Sequence, residues 1–453
     1  MPEISKKITG EIMIPPATLS SFQKEIKSIS DFKEGIEKRL RNEVSIILEV
    51  ILGGAVILEA SDIHIEPEKE RAKIRIRIDG LLQDVILIDQ KIYQTLLSRI
   101  KLLSGIRLNV TDRPQDGRFS IVSNDSKSNN ILNETRRLSI IDSGVIEVRA
   151  SSLPAEYGES VVLRILSSKN LINVGVLGLR EDLLAIVEKE IKKPNGMIII
   201  TGPTGSGKTT TLYAFLEKIA KPEIKIITIE DPIEYHLEGI SQTQVFPEKG
   251  YDFASGLKSI MRQDPDVILV GEIRDLETVQ IALQAALTGH LVFTTLHTND
   301  AAGTIARLVS LGANPINIAP AVNMAVAQRL VRKICEKCGI PKKITPEDLS
   351  KMKKELKGFP KKIKIPKLTM GLKIPKAKGC KYCNFTGYRG RTGVFEAFLF
   401  DNEIKKFILS NPSITSLKEM AIKKGMITIK QDGLVKVLKG ITTLEEVERV
   451  TGE

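Results

Sequence analysis

The fold of this 453-residue chain is decided by one stretch, Met197-Ile-Ile-Ile-Thr-Gly-Pro-Thr-Gly-Ser-Gly-Lys-Thr-Thr210. Its apolar start predicts a strand, its middle fits the pattern G-x-x-x-x-G-K-[ST], and a helix is predicted from Thr210 to Ala220. The glycines let consecutive backbone N–H groups point into one concavity at the amino end of that helix, where phosphate binds. Lys208 would reach the β- and γ-phosphates, and the Thr209 hydroxyl would coordinate Mg²⁺. The sequence therefore predicts a site for a nucleoside triphosphate, built from Gly202, Pro203, Thr204, Gly205, Ser206, Gly207, Lys208, Thr209 and Thr210.

Short apolar strands alternate with helical patterns on both sides of this stretch, from residue 180 to residue 331. The strand candidates are Met197–Thr201, Ile224–Glu230, Val267–Gly271 and Leu291–Leu296. Such alternation predicts βαβ units, because strands joined by helices run in the same direction. We therefore expect an α/β fold with a mostly parallel sheet.

Two of these predicted strands end in acidic residues. The segment Asp266-Val-Ile-Leu-Val-Gly-Glu272 ends in one glutamate, and Lys225-Ile-Ile-Thr-Ile-Glu230 ends in another. A phosphate loop needs a carboxylate at the end of a neighbouring strand, where it holds Mg²⁺ or orients the attacking water. An acidic residue after a strand is often only a turn residue, but two in one domain favour a catalytic function for Glu272 and Glu230.

Two of the four histidines flank the predicted strand Leu291–Leu296. His290 precedes this strand and His297 follows it. Each side chain is a candidate sensor of the γ-phosphate, and each could instead merely cap the strand. Their position in the sequence does not separate the two interpretations.

The chain before the phosphate loop divides into three parts. Residues 1–42 are polar, and six apolar residues at helical spacing predict one amphipathic helix for packing: Phe22, Ile26, Ile29, Phe32, Ile36 and Leu40. Residues 43–168 begin with an apolar helix and continue with alternating strands such as Lys73–Ile78, which predicts a smaller α+β domain. The polar stretch at residues 123–135 predicts a long loop inside this domain, and residues 169–179 predict a linker.

The formal net charge of +12 is concentrated in one segment. Sixteen lysines and only four acidic residues lie between Lys333 and Cys383, so the rest of the chain is neutral. Nucleic acid is not expected as a partner, because the basic residues are not spread over a face and only 4% of residues are aromatic and could stack on bases. The segment is either a solvated lysine-rich loop or a surface for anionic lipid head groups or an acidic partner.

The four cysteines form two C-x-x-C pairs that bracket this segment, Cys335 with Cys338 and Cys380 with Cys383. Their spacing gives four thiolates tetrahedral access to one Zn²⁺. A redox pair is the competing interpretation, but neither motif stands at the strand-to-helix turn of a thioredoxin-like unit. We expect a closed, structural zinc site in an insert at residues 332–390, followed by a C-terminal helical region at residues 391–453.

Composition and hydropathy limit the class of protein. Apolar residues make up 42% of the chain and charged residues 27%, as in globular proteins that bury a core. Four cysteines in this length argue against a disulfide scaffold. No basic-then-apolar leader opens the chain, and the most apolar stretch, Ile46–Leu58, is too short to span a bilayer. We expect a soluble intracellular protein.

Five segments together resemble the secretion ATPases that power type II secretion and type IV pilus assembly. They are MRQDPDVILVGEIRD at Met261–Asp275, IEDPIE at Ile229–Glu234, TGHLVFTTLH at Thr288–His297, ASDIHIEP at Ala60–Pro67 and SLPAEYGE at Ser152–Glu159. The resemblance runs from about residue 43 to the C-terminus. It implies a RecA-like ATPase domain at residues 180–331, preceded by the α+β second N-terminal domain of these enzymes. It also implies that ATP binds between the two domains and that six subunits form a ring.

The resemblance implies roles for individual residues. Arg149 and Arg164 fall where the family places arginines that neutralise charge on the γ-phosphate. Glu272 corresponds to the strand-end glutamate that serves Mg²⁺ and water, and Glu230 to a candidate base that orients water. His297, and with it His290, would couple the phosphate to movement.

Assembly-type members of the family carry the four-cysteine site, whereas pilus-retraction members lack it. The resemblance therefore favours a hexameric motor in the cytoplasm, at the inner membrane and in contact with an inner-membrane platform protein, over a pilus-retraction ATPase. Two further hypotheses are a P-loop nucleic-acid translocase and an ATP-gated scaffold that hardly hydrolyses its nucleotide. Larger members carry a further N-terminal docking domain, whereas only about 42 residues precede the resemblance here.

Overall fold

The computed structural model describes four ranges of residues: 10–123, 145–166, 173–360 and 363–452. The loop predicted at residues 123–135 lies outside these ranges from residue 124 onwards. The chain forms two compact units, one of residues 1–170 with 378–387 and one of residues 171–377 with 388–453. Within the ranges described, no helix combines the length and the apolar character needed to cross a membrane.

The first unit is built on a seven-stranded sheet. Its strands are β1 (Glu11–Met13), β2 (Asp62–Pro67), β3 (Arg71–Ile78), β4 (Leu81–Asp89), β5 (Gln115–Val122), β6 (Val145–Ala155) and β7 (Gly158–Leu166). Their order is β1-β5-β6-β7-β2-β3-β4, and only the β1–β5 pair is parallel. Its helices are α1 (Pro16–Glu25), α2 (Ile29–Glu37), α3 (Val44–Ile57) and α4 (Gln90–Ser104). Alternate strand residues pack with these helices in one core, as the period of two in β3 predicts.

The prediction of one amphipathic helix through Phe22 and Leu40 is wrong, because the chain forms two helices there. Ile26 ends α1 in an extended conformation, and the Ser28 side chain caps α2 by accepting a hydrogen bond from the Asp31 backbone N–H. The apolar spacing continues through the break because both helices bury their apolar residues in the same core.

Helix α3 contains two adjacent glycines whose function is close packing. A Cβ atom at Gly53 would lie 2.8 Å from the ring of Phe22, and one at Gly54 would lie 2.3 Å from the ring of Phe32. Glycine weakens a helix interior by about 1 kcal/mol relative to alanine. Here it allows the aromatic rings of α1 and α2 to lie against the α3 backbone.

The second unit contains nine strands and eleven α-helices among the described residues. The strands are β8 (Gly196–Thr201), β9 (Ile226–Glu230), β10 (Ser241–Gln244), β11 (Val267–Val270), β12 (Leu291–Leu296), β13 (Val322–Ile334), β14 (Ile340–Lys343), β15 (Lys373–Lys376) and β16 (Tyr388–Leu399). The helices are α5 (Glu181–Glu190), α6 (Lys208–Ile219), α7 (Phe253–Ile260), α8 (Leu276–Leu287), α9 (Gly303–Ser310), α10 (Pro315–Ala321), α11 (Pro346–Glu355), α12 (Asn402–Leu409), α13 (Ile414–Lys423), α14 (Ile429–Leu438) and α15 (Leu444–Thr451).

Seven of these strands form the mostly parallel sheet that the sequence predicts. Their order is β10-β9-β11-β12-β8-β13-β16, and every neighbouring pair is parallel except β13 with β16. All four predicted strands are confirmed, as β8, β9, β11 and β12. The carboxyl ends of these four strands meet at one edge of the sheet, which is where ligands bind in open α/β sheets.

The C-terminal region, residues 391–453, is not helical throughout. It begins in strand β16, which pairs with β13 in antiparallel register over most of its length. The run Val394-Phe-Glu-Ala-Phe-Leu-Phe400 is too short and too continuously apolar for its period to distinguish a strand from a helix. Pairing with β13 makes this run a strand, and four helices follow it.

The lysine-rich segment is folded rather than an open loop over most of its length. Strands β14 and β15 form an antiparallel ribbon, and α11 packs beside them on the C-terminal helices. Leu349, Met352 and Ile374 contribute to a small core with Leu434 and Val447. The described lysines between β14 and β15 are exposed, so the segment is a folded support for a positively charged surface.

Two buried carboxylates hold the last helices to the sheet. Asp432 of α14 accepts hydrogen bonds from Arg180 at 2.9 Å, from Lys436 at 2.8 Å and from the Phe395 backbone N–H at 2.8 Å. The Asp432 side chain is fully buried, and both cations are nearly so. The cluster therefore joins the start of α5, strand β16 and helix α14.

Glu446 of α15 forms the second cluster. It accepts hydrogen bonds from the Arg332 backbone N–H at 2.9 Å, from the Arg332 guanidinium at 2.6 Å and from Arg449 at 2.7 Å. The Arg332 guanidinium also lies over the ring of Tyr388, 4.1 Å from its centre. This cluster anchors α15 to β13 three residues before Cys335.

Candidate nucleotide and metal sites

The predicted phosphate loop connects the end of β8 to the start of α6. Gly202, Gly205 and Gly207 have φ angles of 145°, 77° and 87°, which side chains other than glycine rarely adopt. A Cβ atom at Gly202 would also lie 2.4 Å from the carbonyl oxygen of Gln328. The loop therefore needs these glycines in order to turn its backbone N–H groups toward an anion at the helix terminus.

Lys208 is the first residue of α6, and its ammonium group lies against the loop. Its Nζ atom donates to the carbonyl oxygens of Gly202 at 2.9 Å and Pro203 at 3.2 Å. Burial lowers the pKa of Lys208, and attraction to Glu272 opposes that shift. The Ser206 hydroxyl is buried without a hydrogen-bond partner in the part of the chain that the structure describes. A bound phosphate would supply an anion to which the Lys208 ammonium group and the Ser206 hydroxyl could both donate hydrogen bonds.

Glu272 follows β11 and lies at the same edge of the sheet as the loop. Its side chain is 17% exposed, and its carboxylate pairs with Arg274 and lies 3.5 Å from His297 Nε2. Arg274 in turn lies 3.5 Å from Asp231. The structure therefore brings Glu272, His297 and Lys208 together. The sequence prediction did not include Arg274, although it stands two residues after Glu272 in the segment Met261–Asp275.

The two histidines lie at opposite ends of β12. His297 follows the strand at the edge of the phosphate loop, and burial and Lys208 lower its pKa. His290 precedes the strand, and its Nδ1 atom lies 3.1 Å from the carbonyl oxygen of Ala285 at the end of α8. A six-residue strand is about 20 Å long. The structure therefore does not bring His290 to the phosphate loop.

A threonine pair connects β8 to the segment after β12. Thr201 Oγ1 accepts a hydrogen bond from the Thr298 backbone N–H at 2.8 Å and lies 2.8 Å from Thr298 Oγ1. Thr201 immediately precedes the phosphate loop, and Thr298 immediately follows His297. Sequence reasoning missed this pair, because threonine in or beside a strand carries no signal of its own.

Glu230 is the last residue of β9, and its carboxyl group is enclosed. It accepts hydrogen bonds from Thr228 Oγ1 at 2.5 Å, from Gln242 Nε2 at 3.2 Å and from the hydroxyl of Tyr213. The side chain is 3% exposed, and burial raises the pKa of Glu230. Glu230 therefore contacts helix α6, in contrast to Glu272, which contacts the cationic groups beside the loop.

Arg149 and Arg164 belong to the first unit, where they pair directly across β6 and β7. Arg164 donates to Asp62 at 3.0 Å, and its side chain is 58% exposed. Arg118 pairs with Arg149 on the other side. Directly paired residues of an antiparallel sheet share a face, so these arginines form one transverse row.

The four cysteines come together. Their Sγ atoms all lie within 4.8 Å of one another, and the Sγ atoms of Cys380 and Cys383 are 3.7 Å apart. Zinc bound to sulfur at about 2.3 Å in a tetrahedron places its ligands about 3.8 Å apart. Cys383 Sγ also accepts from the Gly387 backbone N–H at 3.2 Å, a contact that suits a thiolate. The cluster therefore fits Zn²⁺.

Comparison with known proteins identifies relatives over most of the chain. Residues 38–449 match the family model described as Type II/IV secretion system protein. The Type II secretion system protein E of Aeromonas hydrophila is 42% identical over 408 residues, which cover 90% of this chain and 75% of that protein. The Type IV pilus assembly ATPase PilB of Thermus thermophilus is 40% identical over 430 residues, which cover 92% of this chain and 45% of that protein.

Solved structures share the fold. The pilus retraction motor PilT with bound ADP aligns with a TM-score of 0.56 and 27% identity, over 88% of this chain and 95% of PilT. The Legionella pneumophila ATPase DotB aligns with a TM-score of 0.61 over 89% of this chain and 95% of DotB. At 21% identity the second comparison concerns the fold alone.

Proposed function

The chain belongs to the type II/IV secretion system protein family and is an ATPase, and from that premise we propose that its Mg²⁺-dependent hydrolysis of ATP powers the assembly of pilin-like subunits or type II secretion. The observation that carries the proposal is the grouping of Lys208, Glu272 and His297 beside the phosphate loop. An ammonium group, a strand-end carboxylate and a helix terminus at one edge of a parallel sheet are the parts that phosphoryl transfer requires.

The reaction is attack of water on the γ-phosphate, and catalysis consists mainly of positioning and charge neutralisation. The residues from Gly202 to Thr210 hold the phosphates, with Lys208 on the β- and γ-phosphates. Thr209 and Glu272 would hold Mg²⁺, which would neutralise negative charge on the phosphates. Glu230 orients water, and His297 reports the state of the phosphate to the segment after β12. We give His290 no part in this site, since it lies at the other end of its strand.

Arg149 and Arg164 neutralise charge on the γ-phosphate in the proposed motor, which is a ring of six subunits with nucleotide between the domains. The domain division that goes with this proposal is the one expected from the sequence. It comprises a segment at 1–42, an α+β domain at 43–168, a linker at 169–179, the RecA-like domain at 180–331, an insert at 332–390 and a C-terminal region at 391–453. The exposure of Arg164 and its alignment with Arg149 support the role of the arginines.

We propose that the cysteine cluster binds one structural Zn²⁺, which joins the two ends of the lysine-rich insert. All four ligand positions would be filled by sulfur, so the site is closed to substrate. The cluster also supports a function in assembly over one in retraction, because the chain resembles the assembly-type ATPases in this feature.

The proposed partner is an inner-membrane platform protein, approached from the cytoplasmic side. The exposed lysines of the folded insert would contact anionic lipid head groups, each contributing about 1 kcal/mol near an anionic surface. No contact with nucleic acid is proposed, because the charge lies in this insert and not along a groove.

The test is Mg²⁺-ATP turnover per chain as a function of protein concentration. We expect turnover that rises with concentration, disappears in EDTA, and is lost in Lys208→Ala, Glu272→Gln, Arg149→Ala and Arg164→Ala. Matched controls are Lys218→Ala near the end of α6 and Arg71→Ala on β3, which should keep wild-type turnover. Turnover that is independent of concentration and of the arginines would refute the ring. Normal turnover in both Lys208→Ala and Glu272→Gln would refute the site.

A further inference from the structure

The carboxyl group at the end of β9 is held by donors from three elements. Tyr213 of α6 donates to one oxygen of Glu230, while Thr228 of β9 and Gln242 of β10 donate to the other, at 2.5 Å and 3.2 Å. Glu230 and Thr228 are both buried, and Tyr213 is 1% exposed. Neighbours on both sides therefore determine the position of the Glu230 carboxyl group.

The register of the sheet explains why these groups meet. Thr228 and Glu230 are two residues apart on β9, so their side chains share a face. Gln242 pairs with Thr228 in the parallel register of β10 and β9 and lies on that face too. Its own amide oxygen accepts from the Leu237 backbone N–H at 2.8 Å, which orients the amide nitrogen toward Glu230.

Tyr213 connects this carboxyl group to the helix that begins at the phosphate loop. It follows Thr209 by four residues, so the two side chains lie on one face of α6, one turn or about 5.4 Å apart. The Tyr213 ring is held edge-on to the ring of Tyr235, with 4.6 Å between their centres. A rotation of α6 would therefore move the hydroxyl group that Glu230 depends on.

We propose that Tyr213 is a positioning residue that, with Thr228 and Gln242, fixes the carboxylate of Glu230 for its part in ATP hydrolysis. This inference rests on the proposed function, in which Glu230 orients the attacking water. All three contacts donate to the carboxylate, so they stabilise its ionised form, whereas burial favours the neutral form and raises the pKa of Glu230. Glu234 and Tyr235 are the other titratable groups that face it, and Glu234 also raises this pKa.

The substitution Tyr213→Phe keeps the ring and removes one donor. Loss of a donor to the anion raises the pKa of Glu230 further, so a larger fraction of it is protonated at a given pH. We expect kcat at saturating ATP to fall about tenfold at pH values below the acid limb of the wild type. The acid limb of the kcat profile should move upward by about one pH unit, while KM for ATP stays unchanged.

Four further variants make the test specific. Thr228→Val should move the acid limb in the same direction, and Thr228→Ser, which keeps the hydroxyl, should restore the wild-type profile. Tyr251→Phe is the matched control, because it also removes a tyrosine hydroxyl beside β10, and that hydroxyl lies 3.0 Å from Thr243 Oγ1. Gln242→Leu, on the edge strand β10, carries the test if Tyr213→Phe does not fold.

The outcomes separate this inference from the function on which it rests. Wild-type kcat and pH profile in folded Tyr213→Phe and Gln242→Leu, in a protein that hydrolyses ATP, would refute the positioning role alone. A wild-type protein without ATP turnover would refute the proposed function and the inference with it. A lower melting temperature with an unmoved acid limb would show a structural role only and would likewise overturn the inference.

Discussion

Replacing Glu446 by glutamine tests one of the two ion clusters that hold the C-terminal helices. The carboxylate of Glu446 accepts hydrogen bonds from the backbone and side chain of Arg332 and from Arg449. Glu446→Gln keeps the size of the side chain and removes its charge. Both arginines then lose the anion that they contact, while the fold around them is otherwise unchanged.

The magnitude follows from the pKa of Glu446, which these contacts lower to about 2 from an ordinary value of 4.5. That fall corresponds to about 3 kcal/mol of folding stability. A lowered carboxyl pKa stabilises the folded state above the unfolded-state pKa, and the contribution is lost as the pH falls through the folded-state pKa. We expect the full difference between wild type and variant above about pH 5, about half of it at pH 3, and almost none at pH 1–2.

The assay is urea unfolding followed by circular dichroism at pH 7, 5, 4 and 3, with EDTA present throughout so that bound metal adds no pH dependence. Glu445→Gln is the matched control, because Glu445 is exposed in the same first turn of α15. Exposed charges of this kind contribute about 0–1 kcal/mol.

Two results would refute the reasoning about this cluster. The first is equal destabilisation by Glu446→Gln and Glu445→Gln at pH 7. The second is a difference between wild type and Glu446→Gln that is the same at pH 3 as at pH 7. In either case the arginine contacts would not control the ionisation of Glu446.

Three further predictions concern the cysteines, the second ion cluster and the phosphate loop. Cys383→Ser should lower zinc from one per chain to near zero in protein purified without added metal; a folded, active wild type without zinc would contradict this. Asp432→Ala leaves two buried cations, Arg180 and Lys436, without the carboxylate that they share and should cost about 3–5 kcal/mol in urea unfolding, whereas Glu347→Ala, which breaks an exposed pair, should cost less than about 0.5 kcal/mol. Gly202→Ala should weaken ADP binding more than about tenfold by calorimetry, because its Cβ would lie 2.4 Å from a carbonyl oxygen. Gly250→Ala, at a positive φ but with open space around it, should bind ADP as the wild type does.

The parts of the candidate site that can be recognised in the sequence are those with strict local requirements. The loop from Gly202 to Thr209 needs glycine at positive φ and lysine at a helix start, so its pattern can be recognised in eight residues. The cysteine pairs can be recognised because two C-x-x-C motifs are compatible with few other kinds of site. The strands that lead to Glu230 and Glu272 consist mainly of apolar, β-branched residues. This composition predicts a strand almost without knowledge of the tertiary structure.

The parts that could not be predicted depend on contacts between distant segments. Gln242 lies in Ser-Gln-Thr-Gln, a strand without apolar residues, and only its register against β9 brings it to Glu230. Thr298 meets Thr201 because two strands separated by about ninety residues are neighbours in the sheet. His290 and His297 look equivalent in sequence, and only the direction of β12 separates them.

The packing of Phe22 and Phe32 against adjacent glycines of α3 has a consequence for solubility. Without residues 10–37, α3 would expose a glycine-weakened apolar surface, and β5 would lose its partner β1 and become a free sheet edge. An unpaired edge next to exposed apolar surface is a template for pairing with the same edge of another copy. The described part of the N-terminal segment therefore covers the apolar surface of α3 and the end of β5, both of which would otherwise favour association between copies.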